Sequence, residues 1–127
     1  MIALDSSALI EVVAQQPSAD RCARILSHAE LVISAATLAE ALIVASRKRV
    51  LPELDDLLAA LDLTVEPVDA EFAERAADTY RRWGKGFHRA DLNYGDSFSY
   101  AIAELYGCPL LYVGDDFART DVRSALD

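Results

Sequence analysis

The sequence predicts an α/β fold: a single domain over residues 1–127, built on a central parallel β-sheet of four to five short strands with helices on both faces. Three observations predict it. The runs Ile2-Ala3-Leu4, Leu31-Val32-Ile33 and Pro109-Leu110-Leu111-Tyr112-Val113 are short and continuously apolar, the pattern of strands buried on both faces. Between them lie longer segments with apolar residues at helical spacing. The chain opens on a strand, and its 127 residues are enough for one substantial core.

The elements follow in order. Ile2-Ala3-Leu4 stops at Asp5, and Ser6 and Ser7 offer helix caps. Ala8, Leu9, Val12 and Val13 continue at helical spacing to Pro17. Ser18 is positioned to cap a second helix with Cys22, Ile25 and Leu26 inward. After Leu31-Val32-Ile33, Ser34 caps a helix from about residue 35 to 49. From Ala35 to Ser46 that helix carries one charge, Glu40, so it is expected to be buried on nearly every side. Pro52 begins a helix with a Leu54, Leu58, Leu61 stripe, which is either core or a partner-facing groove. Thr64-Val65-Glu66-Pro67-Val68 reads as an edge strand because Pro67 cannot donate to a ladder. Asp69 caps the next helix, with Phe72, Ala76, Thr79 and Tyr80 along one face. Asn93 and Gly95 are turn residues; Phe98, Ile102 and Leu105 then define a helix that ends at Gly107 and Pro109. Asp121 is expected to start a short last helix.

Composition narrows the function. Net charge is −9, which opposes binding nucleic acid through bulk charge. No apolar run approaches the ~20 residues needed to span a bilayer, and Met1–Asp5 has no basic n-region, so neither a membrane span nor a signal peptide is expected. Cys22 and Cys108 have no metal-binding spacing and read as two buried thiols of a cytosolic protein.

The informative residues are acids in apolar settings. Asp5 ends the first strand, at the sheet edge where parallel α/β folds bind ligands. Glu40 stands alone among Ala39, Ala41, Leu42, Ile43 and Val44, where a carboxylate is costly without a cation, a donor or a proton. Asp96 falls in the first turn of its helix, where backbone N–H groups favour an anion. Asp115 and Asp116 lie just beyond the last strand. Each alone could be a helix cap or surface acid. Together they predict one acidic pocket. Two like charges about 4 Å apart repel by roughly 4 kcal/mol at an effective dielectric near 20, so such a cluster binds protons or cations. An all-oxygen donor set suits Mg²⁺ or Mn²⁺, and carboxylate-held Mg²⁺ is a platform for phosphoryl chemistry. No nucleophilic triad and no Gly-x-x-x-x-Gly-Lys phosphate loop competes.

A second pattern lies upstream of Asp96. Arg81-Arg82-Trp83-Gly84-Lys85-Gly86-Phe87-His88-Arg89 holds four of the 12 Lys and Arg residues among aromatics. It reads as a solvated helix end and a mobile surface loop, or as a surface for single-stranded nucleic acid, with phosphates on the cations and bases on the rings.

The segments Ile2–Leu9, Glu40, Leu92–Ala101 (with Asn93-Tyr94-Gly95-Asp96) and Pro109–Phe117 resemble, in order and over essentially the whole chain, the PIN-domain ribonucleases. The match is closest to the VapC toxins of bacterial toxin–antitoxin pairs. The resemblance implies a cytoplasmic, Mg²⁺- or Mn²⁺-dependent endoribonuclease. Its catalytic and metal-binding acids would be Asp5, Glu40, Asp96 and Asp116, with Asp115 second to Asp116. Ser6 would support the site through its hydroxyl, and Arg82, Lys85 and Arg89 are candidate RNA contacts. The family further implies a homodimer and a VapB-type antitoxin whose C-terminal tail covers the acids. The Leu54/Leu58/Leu61 stripe is the candidate wall of that groove. The alternative is a PIN-fold protein that binds RNA or a partner without cutting. Other Mg²⁺ folds fit less well. Haloacid-dehalogenase phosphatases want an Asp where Ser7 stands, and receiver domains want a Lys where Gly114-Asp115-Asp116 follows the last strand.

Overall fold

Four strands, β1 (Ile2–Leu4), β2 (Leu31–Ser34), β3 (Leu63–Glu66) and β4 (Leu110–Leu111), form one sheet in the order β3-β2-β1-β4, with every neighbouring pair parallel. The computed structural model describes residues 1–126. Two helices separate each strand from the next. These are α1 (Ser6–Val13) and α2 (Ala19–His28), α3 (Ala35–Arg47) and α4 (Leu51–Ala60), then α5 (Ala70–Trp83) and α6 (Tyr94–Tyr106).

The side-chain period of a strand divides the core in two. Ala3, Val32 and Leu110 point to one face, where Phe72, Phe98 and Ile102 of α5 and α6 cover them. Leu4, Leu31, Ile33 and Leu111 point to the other, covered by α1–α4 through Leu9, Leu26, Ala41 and Leu54. A sheet buried on both faces requires continuously apolar strands, and these runs are apolar throughout. The edge strand β3 is the half-exposed one, in keeping with Pro67 just beyond it.

Local chemistry sets the helix ends. Asp5, Ser34, Asp69 and Asn93 each accept a backbone N–H as N-caps of α1, α3, α5 and α6. Gly107 closes α6 in the left-handed region at φ 59°, a conformation open to glycine at no steric cost. Ser18 precedes α2 but makes no side-chain cap bond; its backbone N–H donates instead to Glu11 Oε2.

Four expectations need correction. Helix α3 is not buried all round. Thr37, Ala41 and Ala45 are buried, but Ala39 is exposed and Ile43 is 56% exposed, because no element of the described chain covers that side. The α4 stripe faces inward. Leu54 is fully buried and Leu58 and Leu61 pack against the same core, so the stripe is not the wall of an open groove. Leu54→Ala is therefore expected to cost about 2–5 kcal/mol of stability, read as a lower urea midpoint at unchanged slope. Residues 81–89 are not all loop, since α5 runs through Arg81, Arg82 and Trp83. No helix forms at Asp121; the last described segment instead bridges β4 through Ser124 and Leu110, pairing that satisfies backbone groups a sheet edge would leave open.

Candidate active site

Parallel strands joined through helices bring the strand C-termini and several helix N-termini to one edge. Asp5, Glu40 and Asp96 converge there, each held by a short-range donor. Asp5 follows β1 and is 6% exposed. Its Oδ2 accepts from the Ser7 hydroxyl at 2.6 Å and the Ser7 N–H at 3.2 Å, and its Oδ1 accepts from Ser99 at 2.6 Å. Ser7 Oγ also accepts from the Val113 N–H at 3.0 Å, which ties Asp5 to the chain leaving β4, three residues before Asp116. The capping reading of Asp5 is borne out, since its side chain accepts the Ser7 N–H at the start of α1. The same carboxylate caps α1 and faces the site.

Glu40 lies on the half-buried side of α3. Its Oε1 accepts from Ser6 Oγ at 2.7 Å, the support expected of that hydroxyl. Its Oε2 sits against Gly95, where an added Cβ would approach to 2.5 Å. Glycine at position 95 thus leaves room for the Glu40 carboxylate where it now lies, in addition to any turn preference.

Asp96 is the most perturbed of the acids. It is 7% exposed and completes a capping box with Asn93. Its Oδ2 accepts from the Asn93 N–H at 3.0 Å, and Asn93 Oδ1 accepts from the Asp96 N–H at 2.8 Å. Burial pushes its pKa up from 3.8 to about 7; the Asn93 N–H opposes that rise, and the charges of Asp116, Asp5 and Glu40 add to it. Asp116 stands on the exposed turn after β4, and its charge acts on Asp96 ahead of those of Asp5 and Glu40. Asp115, equally exposed, is not among the groups acting on Asp96, which favours Asp116 of the two.

The four acids share a field without forming a closed shell. Among the described residues, no three His, Cys, Asp or Glu side chains stand close enough to hold one ion together. The donor set is nevertheless all oxygen, mutually repelling and only partly supplied with protein donors. That suits a hard cation which keeps most of its water and takes one or two carboxylates directly.

The basic residues divide. Arg82 is committed elsewhere: it donates to Glu104 Oε2 and to the Tyr100 hydroxyl, each at 2.9 Å, and Tyr100 in turn donates to Asp121. This network joins α5 to α6 and gives Arg82 a structural role that the sequence did not show. Lys85 and Arg89 are exposed. His88 Nδ1 accepts from the Ala90 N–H, and its ring packs edge-on to Trp83 at 4.8 Å, a structural role.

Two contributors were not singled out by sequence reasoning. Ser99 is fully buried and holds Asp5, with Thr37 Oγ1 behind it at 3.3 Å. A buried serine on the apolar face of a helix was the available signal. Gly95 was read as a turn residue; its contact with Glu40 depends on how α3 and α6 pack.

Comparison with known proteins bears on the whole chain. Residues 2–123 match the family model for the PIN domain. A Mycobacterium tuberculosis protein, Ribonuclease VapC30, is 42% identical over 127 residues, covering 95% of each chain. Among solved structures, Mycobacterium tuberculosis VapC20, a sarcin–ricin loop cleaving toxin, superposes with a TM-score of 0.77 at 18% identity over 96% of each chain. A toxin–antitoxin complex from Klebsiella pneumoniae superposes with a TM-score of 0.75 at 17% identity, covering 100% of this chain and 98% of the other. At these identities the two structures speak for the fold.

Proposed function

The chain belongs to the PIN-domain family, and from that premise we propose that it is the toxin of a VapBC-type toxin–antitoxin pair, an endoribonuclease that hydrolyses RNA phosphodiesters with Mg²⁺ or Mn²⁺. One observation carries the reading: two buried carboxylates, Asp5 and Asp96, 6% and 7% exposed, come together at the strand C-terminal edge with Glu40, whose carboxylate lies against Gly95 beside Asp96. The capping bonds of Asp5 and Asp96 stabilise the helix starts, but burial within each other's field opposes the charged forms, and such carboxylates suit a site that gathers positive charge. The name and 42% identity of Ribonuclease VapC30 support the same activity.

In this reading one or two of Asp5, Glu40, Asp96 and Asp116 would bind the ion directly and the others would act on it through its waters, with Asp115 as a weaker candidate. Bound there, the ion would neutralise phosphate charge and acidify a water. The protein's own part is orientation. Ser7 and Ser99 fix both oxygens of Asp5, Ser6 fixes one oxygen of Glu40, and the Asn93 N–H fixes one oxygen of Asp96. Asp116, on an exposed turn, is the acid free to adjust as substrate arrives. Lys85 and Arg89 are proposed to meet phosphates. A VapB-type antitoxin and a second copy of the chain are the proposed partners, and the cytoplasm the proposed location. Among the described residues no helix is long and apolar enough to cross a membrane.

The direct test is incubation of purified protein with RNA in Mg²⁺, followed by mapping of new 5′ ends. Discrete cuts are expected. RNA that is bound yet stays intact would favour the non-cleaving alternative.

Gly95→Ala separates site geometry from stability. The clash falls on the far end of a flexible side chain, Glu40 Oε2, so Glu40 moves and the fold persists. Ala in place of Gly in a helix gains roughly 0.5–1 kcal/mol. Cleavage is expected to drop by about 10- to 100-fold, because small displacements of a catalytic group are costly, while the melting temperature holds or rises. Unchanged cleavage would remove Glu40 from the set.

A further inference from the structure

Beside the acids runs an aromatic ridge that the carboxylate chemistry does not use. Tyr94, the first residue of α6, is 75% exposed. Its ring meets Phe98 nearly edge-on, at 5.0 Å and 80°, a geometry that orients the ring and leaves most of it open. Grooves flank it on both sides, and Tyr94 and Phe98 line each. One, of about 530 Å³, is lined further by Tyr80, Phe87 and Arg81. The other, of about 390 Å³, is lined further by Ile43, Gly95, Glu40 and Arg47. Phe87 is 62% exposed and packs edge-on against Tyr80 at 6.0 Å, so it too is an exposed ring held in place.

The charges distinguish among occupants. In a chain of net charge −9, each groove holds an arginine. Arg81 pairs only loosely with Asp78, at 3.6 Å with both side chains largely exposed, a contact of little worth. Arg47 makes no salt bridge among the described residues. An apolar partner would account for the rings and leave two cations unexplained. An acidic peptide would meet the cations and be repelled by Glu40, Asp96 and Asp116. An unpaired nucleotide has a flat π-face for the ring and an anionic phosphate on either side of it. Its phosphates would also lie next to the one place where a divalent cation can offset the acids.

We propose that Tyr94 is a stacking platform for an unpaired nucleobase of single-stranded RNA, with the neighbouring phosphates on Arg81 and Arg47 and the next phosphodiester over Glu40 and Asp96. The inference deepens the ribonuclease reading and rests on it. The basic–aromatic segment of residues 81–89 thereby enters through Arg81 and Phe87, and its Arg82 serves the α5–α6 contact instead.

The experiment measures fluorescence anisotropy of a short, mixed-sequence single-stranded oligoribonucleotide in EDTA, with wild type, Tyr94→Ala and Tyr94→Trp, alongside Mg²⁺-dependent cleavage by the same proteins. Tyr94→Ala is expected to weaken binding by roughly 5- to 150-fold, the span of one lost stacked base, and to raise KM more than it lowers kcat. Tyr94→Trp is expected to restore both. A Tyr94→Ala protein that binds the oligonucleotide like wild type overturns the platform and leaves the ribonuclease reading intact. So does a loss of RNA binding that sedimentation traces wholly to a changed monomer–dimer equilibrium, since the ridge is then a contact between copies. Wild type that binds single strands through Tyr94 but never cuts them overturns the ribonuclease reading and upholds the platform. Wild type that neither binds the RNA in EDTA nor cuts it in Mg²⁺ overturns both.

Discussion

Asp96→Asn is expected to lower kcat/KM for RNA cleavage by about 10³-fold or more, the scale seen when a residue acting as part of a catalytic unit is lost, while the protein stays folded. The reason lies in the double duty of this side chain. Asp96 caps α6 by accepting the Asn93 N–H at 3.0 Å, and an amide oxygen can accept the same bond. What Asn cannot supply is a negative charge in the centre of the acid group. The change also removes a buried carboxyl whose ionisation is opposed by burial and by Asp116, Asp5 and Glu40. The variant should therefore melt at the same temperature as wild type or higher above pH 7, without added metal. Circular dichroism melts and a cleavage assay on the same preparation check both halves. Wild-type cleavage by the variant would falsify the assignment, and a collapse of the melt would mean that its capping role dominates.

Removal of divalent cations is expected to have an effect of similar size on activity and a separate, pH-dependent one on stability. EDTA should abolish cleavage. In the metal-free protein, Asp96 titrates near 7 when folded, against 3.8 as its ordinary value. Between those two values the folded state holds a proton that the unfolded state lacks, so stability falls as pH rises through this window. The contribution is fully present below about pH 4 and lost above about pH 7. Its ceiling is roughly 4 kcal/mol, from 1.36 kcal/mol per pKa unit. A cation binding only the folded state should reverse the loss at pH 8, by about 2.7 kcal/mol at a hundredfold excess over Kd. The gain should be much smaller in Asp96→Asn. Urea titrations at pH 5 and pH 8, with and without Mg²⁺, measure the four corners. An Asp96 contribution, taken as the difference between wild type and Asp96→Asn, that is flat across pH would contradict the perturbed carboxyl. A wild-type curve indifferent to Mg²⁺ would contradict the metal assignment.

Much of this was legible in the chain itself. Asp5 sits where an apolar run stops, Asp96 follows a turn and opens a helix, and Glu40 interrupts an uncharged stretch. Each is a local contrast between a charge and its neighbours, and the strand-end rule then puts them on one edge. Helix caps at Ser34 and Asp69 were equally readable, because a cap depends on residues within one turn; Asn93, readable as a turn residue, is a cap as well. The features misjudged or missed are nonlocal. The Leu54/Leu58/Leu61 stripe has the same spacing whether it meets the core or an open groove. Arg82 carries the same charge whether it awaits a phosphate or meets Glu104, 22 residues away in the chain. Ile43 stands in an apolar stretch that predicts burial, yet among the described residues no element covers it and it is 56% exposed.

The sequence by itself determined the fold class, the caps at Ser34 and Asp69 and which acids stand out as candidates, because hydrophobic period and local polarity are written residue by residue. Only the tertiary structure decided which donors hold those acids. Ser99 reaches Asp5 across 94 residues, Ser6 reaches Glu40 across 34, and Gly95 leaves room for the Glu40 carboxylate. Such pairings depend on how α1, α3 and α6 pack at the sheet edge, and on the shared burial that drives Asp96 upward. Distance in space, which sets both hydrogen bonding and charge repulsion, is the one quantity that spacing along the chain does not contain.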